Sequence, residues 1–301
     1  MKVNNCCKEL FLLKCIIGII AFLIFPSSCN TDSEIVYITR SNEQIEIRTQ
    51  SWKLPILEHS YRDGVGRIKF GGIVSEIPDS AFYNDSSLIK LTVPSTIKRI
   101  GDLSFFGCKE LEDFEFPSNC ETIGNSAFSE CSNLRLIKLP STLSALGAAA
   151  FSKCSSIEQA NIPPQITTIE SSTFADCRNL TNINFPDNLV KIESFAFFGC
   201  ESLKGVMFPP ALLSIRESAF AGCSNLTHID FPDDITIITS NSFFCCINLK
   251  SIKMPKKLKR IEDYAFAGCV QLSTIEMPDS IFQAKETAFE NCDSLTISFK
   301  F

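Results

Sequence analysis

Phenylalanine returns every 23 residues, at Phe82, Phe105, Phe128, Phe151, Phe174, Phe197, Phe220, Phe243, Phe266 and Phe289, ten positions with no exception. Proline keeps the same step from Pro94 to Pro278. A fixed period of this length marks a repeat architecture, in which each unit is too small to bury its own apolar face and must share a core with its neighbours. That feature limits the fold more than the length of 301 residues does, which by itself suggests two globular domains.

The unit reads I-G-x-x-A-F-x-x-C-x-x-L-x-x-L-x-L-P-x-x-L-x-x and stands almost whole in "IGNSAFSECSNLRLIKLP", Ile123 to Pro140. In "LRLIKLP", Leu134, Ile137 and Leu139 point inward while Leu136 and Lys138 point outward, the alternation of a short half-buried strand. Pro140 has no N–H for a ladder and ends that strand. In "NSAFSEC", Ala127, Phe128 and Cys131 have the spacing of one helical turn facing inward. The expected fold class is therefore an α/β solenoid, a right-handed superhelix of ten 23-residue repeats with one parallel sheet.

Departures from the unit mark its ends and soft places. The first repeat has Asp85 in the cysteine slot, and the last has Ala284 in the isoleucine slot and a slipped final strand in "LTISFKF"; terminal repeats face water and are expected to be atypical. Glu170, Glu193, Arg216, Thr239 and Glu262 replace the glycine, so that position is expected to tolerate an exposed side chain. Ala160 stands where a larger strand residue is usual and is expected to leave the core thin. Residues 35–76 read as an N-terminal β-rich cap, with a turn at Gly64-Val65-Gly66 and alternation at Ile68 and Phe70; residues 77–301 read as the repeat domain.

The first residues read as an address. Lys2, Lys8 and Lys14 precede an apolar run from Cys15 to Phe25, too short for the roughly 20 residues of a bilayer span. Residues 1–28 are expected to be an export signal. Ser28-Cys29 resembles the lipobox of bacterial lipoproteins, which implies that Cys29 is the lipid attachment site, that residues 29–34 form a flexible tether, and that the chain sits at the outer membrane or cell surface.

Nine cysteines occupy the repeat slot, from Cys108 to Cys292, while Cys120 fills an apolar slot and Cys245 lies off the pattern. Export and many cysteines usually argue for disulfides. Here equivalent side chains in stacked coils run parallel, with Cβ atoms about an ångström beyond the roughly 3.8 Å of a bridge. The slot cysteines are therefore expected to be reduced and buried. No metal or cofactor is expected, because no C-x2-C or Cys/His cluster occurs.

Catalytic signals are sparse. The two histidines are His59, in the cap segment, and His228, followed by Asp230 on the outward side of a strand. No G-x-S-x-G, H-E-x-x-H or P-loop pattern occurs, so no enzyme activity is expected. A balance of 28 basic against 34 acidic residues gives no footprint for nucleic acid.

The repeat resembles the Treponema pallidum type of leucine-rich repeat found in BspA-like bacterial surface proteins, on the signature quoted above at Ile123 to Pro140 and again at Ile100 to Pro117. The resemblance implies a cell-surface protein that adheres to host proteins or other cells. Its ligand face is expected on the outward strand positions Gln159, Asn161, Asn182, Asn184, Met207, His228, Asp230 and Lys253. The expected partner is an extracellular or host protein, with membrane contact through the lipid anchor only. The alternative is a glycan-binding accessory protein of an outer-membrane uptake system.

Overall fold

The structure is a computed structural model that describes residues 32–299, and these belong to one compact unit. The export signal and Cys29 lie outside the described residues. Among the described residues no helix is long and apolar enough to cross a membrane.

The chain opens with three antiparallel strands, β1 (Glu34–Thr39), β2 (Ile56–Arg62) and β3 (Val65–Phe70). β3 lies between β2 and β1, and the far edge of β1 pairs antiparallel with Leu88–Thr92, the first strand of the repeats. The Asp63-Gly64 turn joining β2 to β3 has both residues at positive φ, as a tight two-residue hairpin requires. Of the stretch 29–34 read as a tether, residues 32–34 are tied down. Asp32 and Ser33 accept backbone hydrogen bonds from Val74 (2.7 Å) and Phe70 (2.8 Å), and Glu34 begins β1.

From there the chain winds as ten coils around one continuous core. Phe82 through Phe289 form a column with ring centroids 4.8 to 5.6 Å apart and interplanar angles of 1 to 14°. That spacing follows the roughly 4.8 Å between neighbouring strands, and near-parallel rings at this distance are attractive when offset. The isoleucine and leucine slots flank the column and are mostly buried, with Leu139 and Leu295 half-buried and Ala284 of the last repeat exposed. Ala160 is buried with them, between Ile157 and Ile162.

Two expectations about the coil are corrected. The fold is a β-solenoid, not α/β: the helices among the described residues are short 3-10 turns at Thr49–Ser51 and Glu286–Phe289. The segment "NSAFSEC" cannot be a helical turn because Ser126 and Glu130 sit at φ of 51° and 64°. Its N–H groups instead reach the next coil, Ser126 to Ala148 O (2.8 Å), Phe128 to Ala150 O (2.8 Å) and Glu130 to Ser152 O (2.8 Å). In the tenth coil the same segment tightens into a 3-10 turn, Glu286–Phe289.

Nor is there one parallel sheet. The strands of "L-x-L" form one parallel ladder, and two-residue strands just ahead of the glycine slot form a second, as at Arg99–Ile100, Thr122–Ile123 and Ala145–Leu146. The first ladder passes Leu136 through isolated bridges to Asp113 and Gln159, and breaks between Asn184 and Val206. Gly205 stands at that break, where a residue without a side chain weakens a strand. At the far end the final strand pairs Thr274 with Thr296, an offset of 22 that carries the slip read from "LTISFKF".

The glycine slot is also not uniformly tolerant. A Cβ on Gly101, Gly124 or Gly147 would come within 2.5 to 2.6 Å of backbone in the preceding coil. There Asp79, Asp102 and Asn125 each accept the backbone N–H of the residue one coil on, at 2.7 to 2.9 Å, which draws the coils together. From Glu170 onward Ser171 and Ser194 take the place of that Asp or Asn, and the slot holds exposed or half-buried side chains as expected.

Candidate functional site

The outward side of the strand ladder is the widest ordered surface the coils build. Register fixes its side chains: Gln159 pairs with Asn182 and Asn161 with Asn184, while His228 pairs with Ser251 and Asp230 with both Met207 and Lys253. The intervening Ala160, Ile183, Val206, Ile229 and Ile252 are buried, so the exposed alternates cannot rotate into the core. All eight residues proposed from the sequence are exposed. The break at Gly205 divides them into two groups, an amide group at 159–184 and a mixed group at 207–253.

In the amide group Asn184 donates to the Asn161 carbonyl oxygen, leaving the other donors and acceptors to water. Met207 is 89% exposed. The face is wider than the alternation suggests, because Arg135, Glu158, Lys204 and Lys250, one residue ahead of the outward positions, are exposed too. A polar residue just before the first outward position was the signal that could have found them.

The mixed group brings three chemically suggestive side chains together. His228 Nδ1 lies 2.7 Å from Ser251 Oγ and its Nε2 lies 3.0 Å from Asp230 Oδ1. Nucleophile, base and orienter are thus in hydrogen-bond reach. What is missing is a preorganised oxyanion site, usually the largest contribution to acyl transfer: the strands around Ser251 pair on both sides, so their N–H groups are engaged in the ladder. All three side chains face open water. His59, the other histidine, is held by Tyr37 Oη and by Gln44 Nε2, each at 2.7 Å, and burial lowers its pKa.

The cysteines among the described residues are free and, apart from the half-buried Cys245, buried. Each of the nine slot thiols donates to the carbonyl of the phenylalanine 26 residues earlier, from Cys108 to Phe82 (3.0 Å) through Cys292 to Phe266 (3.2 Å). Burial raises the pKa of Cys131, Cys177, Cys200 and Cys223 well above the ordinary value and that of Cys120 to about 11. In the first coil Asp85 occupies the slot with the opposite role, accepting from Ser87 N (3.0 Å) and Leu88 N (3.2 Å). Among the described residues no group of three or more His, Cys, Asp or Glu could hold a metal ion.

Stacked coils with a shared core and an open strand face define a solenoid repeat protein. Residues 75–189 and 167–296 match the BspA type leucine rich repeat region, and the chain belongs to that family. A leucine-rich repeat protein from Bacteroides ovatus is 25% identical, with 76% of this chain and 70% of that chain covered and a TM-score of 0.54. A leucine rich cell surface protein from Faecalibacterium prausnitzii is 24% identical over 82% of this chain and 86% of that chain, TM-score 0.42. The leucine rich repeat protein of T. pallidum is 22% identical over 66% and 78%, TM-score 0.44. No curated protein matches the chain.

Proposed function

We propose that this protein is a non-enzymatic, lipid-anchored surface protein that binds an extracellular or host protein through the outward strand face. The observation that carries this reading is the fixed register of that face. Exposed residues such as Gln159, Asn182, Met207 and Asp230 are presented at strand spacing from a backbone pinned by buried neighbours. Contacts made from such a platform lose little conformational entropy on binding. Membership of the BspA type repeat family supports the adhesive role, and the run Cys15–Phe25 followed by Ser28-Cys29 supports export and anchoring.

The test is a pull-down from host extracellular matrix with the full chain and with a variant carrying Gln159→Lys, Asn182→Lys and Asp230→Lys. A partner retained by the first and lost by the second, with loss of adhesion in a deletion strain, is the expected result. A partner held equally by both, or unchanged adhesion, overturns the assignment of the face. Cys29→Ser is expected to release the protein from the membrane fraction into the medium, and retention there would sink the anchor.

A further inference from the structure

On another side of the solenoid, away from the strand face, the coils of residues 193–264 form a shallow polar depression of about 410 Å³. That volume falls in the roughly 300–1,000 Å³ range of small-ligand sites. Glu193, Arg216, Glu217, Ser240 and Glu262 line it. Two of its carboxylates have cations of their own, Lys191 beside Glu193 and Arg260 at 2.8 Å from Glu262. Arg216 and Glu217 make no ion pair among the described residues. Three carboxylates, Glu193, Glu217 and Glu262, therefore stand against three cations, Lys191, Arg216 and Arg260, and the site is neutral while rich in donors and acceptors.

Beside this depression in the chain stand exposed aromatic rings. Phe195 follows lining residue Ser194, and Tyr264 comes two residues after Glu262; they are 42% and 40% exposed. Phe198 and Phe244 are exposed in the same coils, with the Phe195 and Phe198 rings 6.0 Å apart. Between Phe195 and Tyr264 the two intervening coils hold Ser218, buried, and Asn241, half-buried, at the equivalent position, so smaller side chains separate the two rings.

The backbone sets the same two residues, together with Leu103, apart from the rest of their column. Phe195 and Tyr264 sit at φ of 61° and 57°, in a column that elsewhere holds mainly Ser, Ala or Asn, as at Ser126, Ala149, Ser172, Ser218 and Asn241. A bulky side chain in the left-handed region is strained, and such strain clusters at ligand sites.

We propose that this depression binds a neutral oligosaccharide. A pyranose offers an apolar C–H face for an aromatic ring and a rim of hydroxyls that both donate and accept. The neutral floor carrying Arg216, Glu217 and Ser240 answers the hydroxyls, and Phe195 and Tyr264 answer the ring faces. A phosphate or a polyanion would meet the three carboxylates, and a basic peptide would find two of them already paired.

The experiment screens the full chain on an array of neutral hexose, pentose and N-acetylhexosamine oligosaccharides, with oligogalacturonate as the acidic probe, followed by calorimetric titration. Wild type is expected to bind a neutral member. The double variant Phe195→Asn, Tyr264→Asn is expected to bind it at least about tenfold more weakly, the scale of losing two aromatic stacking contacts. Its Tm should be equal or higher, since Asn accepts this backbone readily, and the strand-face variant Asn182→Lys should bind as wild type does. Binding of no neutral member, binding of oligogalacturonate alone, or equal binding by the double variant overturns the proposal.

Discussion

A thiol in the cysteine slot does something that an alanine of similar burial cannot: its S–H gives a second partner to the phenylalanine carbonyl of the preceding coil, which already accepts the N–H of that coil's cysteine, as at Phe128 with Cys131 N (3.1 Å) and Cys154 Sγ (3.0 Å). Buried polar groups are stable when partnered, and this partner needs no disulfide. Thiol titration in denaturant is therefore expected to find most of the mature chain's cysteines free; recovery of four or more disulfides would contradict it. Among the described cysteines the half-buried Cys245 should alkylate first in the native state, because the slot thiols are shielded and their ionisation is suppressed by burial. The same suppression makes stability depend on pH. A thiol kept neutral in the fold but ionising at 9.0 when unfolded loses its contribution as pH rises above 9, at about 1.4 kcal/mol per unit for each buried thiol until its folded value is reached, about 11 at Cys120. Thermal melts under reductant should show a steep fall in Tm from pH 9 to 10.5, and a flat profile would refute it.

Within one coil, the turn segment rather than the strand shows how neighbours are spaced. Its positive-φ residues aim alternate N–H groups at the next coil, and the glycine slot decides how near that coil comes in the first half of the array. Gly124→Ala would place a methyl 2.6 Å from the Asp102 N and is expected to destabilise by about 1–3 kcal/mol, the range for overpacking. Gly205→Ala meets nothing within 4 Å and should be neutral or stabilising by about 0.5–1 kcal/mol, as for other glycines inside strands. Urea denaturation of the pair checks both signs. Phe197→Ala, which opens a gap in the ring column between Phe174 and Phe220, is expected to cost about 3–5 kcal/mol. On the strand face, Ser251 should not react with a fluorophosphonate probe, since the Ser251, His228 and Asp230 contacts come without an oxyanion site; labelling that depends on His228 would overturn that reading.

Over the whole array each coil touches mainly the coils on either side, so stability is transmitted between neighbours rather than through one globular core. The chain has one tryptophan, Trp52, buried at the N-terminal end with its ring 4.6 Å from Phe70 and 6.3 Å from Phe82. It reports on the antiparallel strands and the first coil. Phe266→Ala, at the opposite end of the ring column, is expected to lower the far-UV circular dichroism midpoint while leaving the Trp52 fluorescence midpoint less affected. Coincident shifts of both would show that the solenoid melts as a single unit.

Ten phenylalanines at one spacing were enough to specify coils, a shared core, strands ending at proline and unbridged cysteines, because each of those follows from residues within 23 positions of one another. Membership of the repeat family was legible for the same reason. What the sequence alone misjudged was the NSAFSEC segment: its apolar spacing fits a helical turn, but its hydrogen-bond partners lie one coil away and select left-handed residues instead. The second strand ladder was hidden because two-residue strands have no alternation to read. The glycine slot was misread in the first half because its tolerance depends on how close the preceding coil approaches. Likewise the neutral depression and its aromatic flank combine residues from four successive coils, none forming a motif in line. Contacts within a coil are written in the chain, while the distance between coils is decided only when they stack.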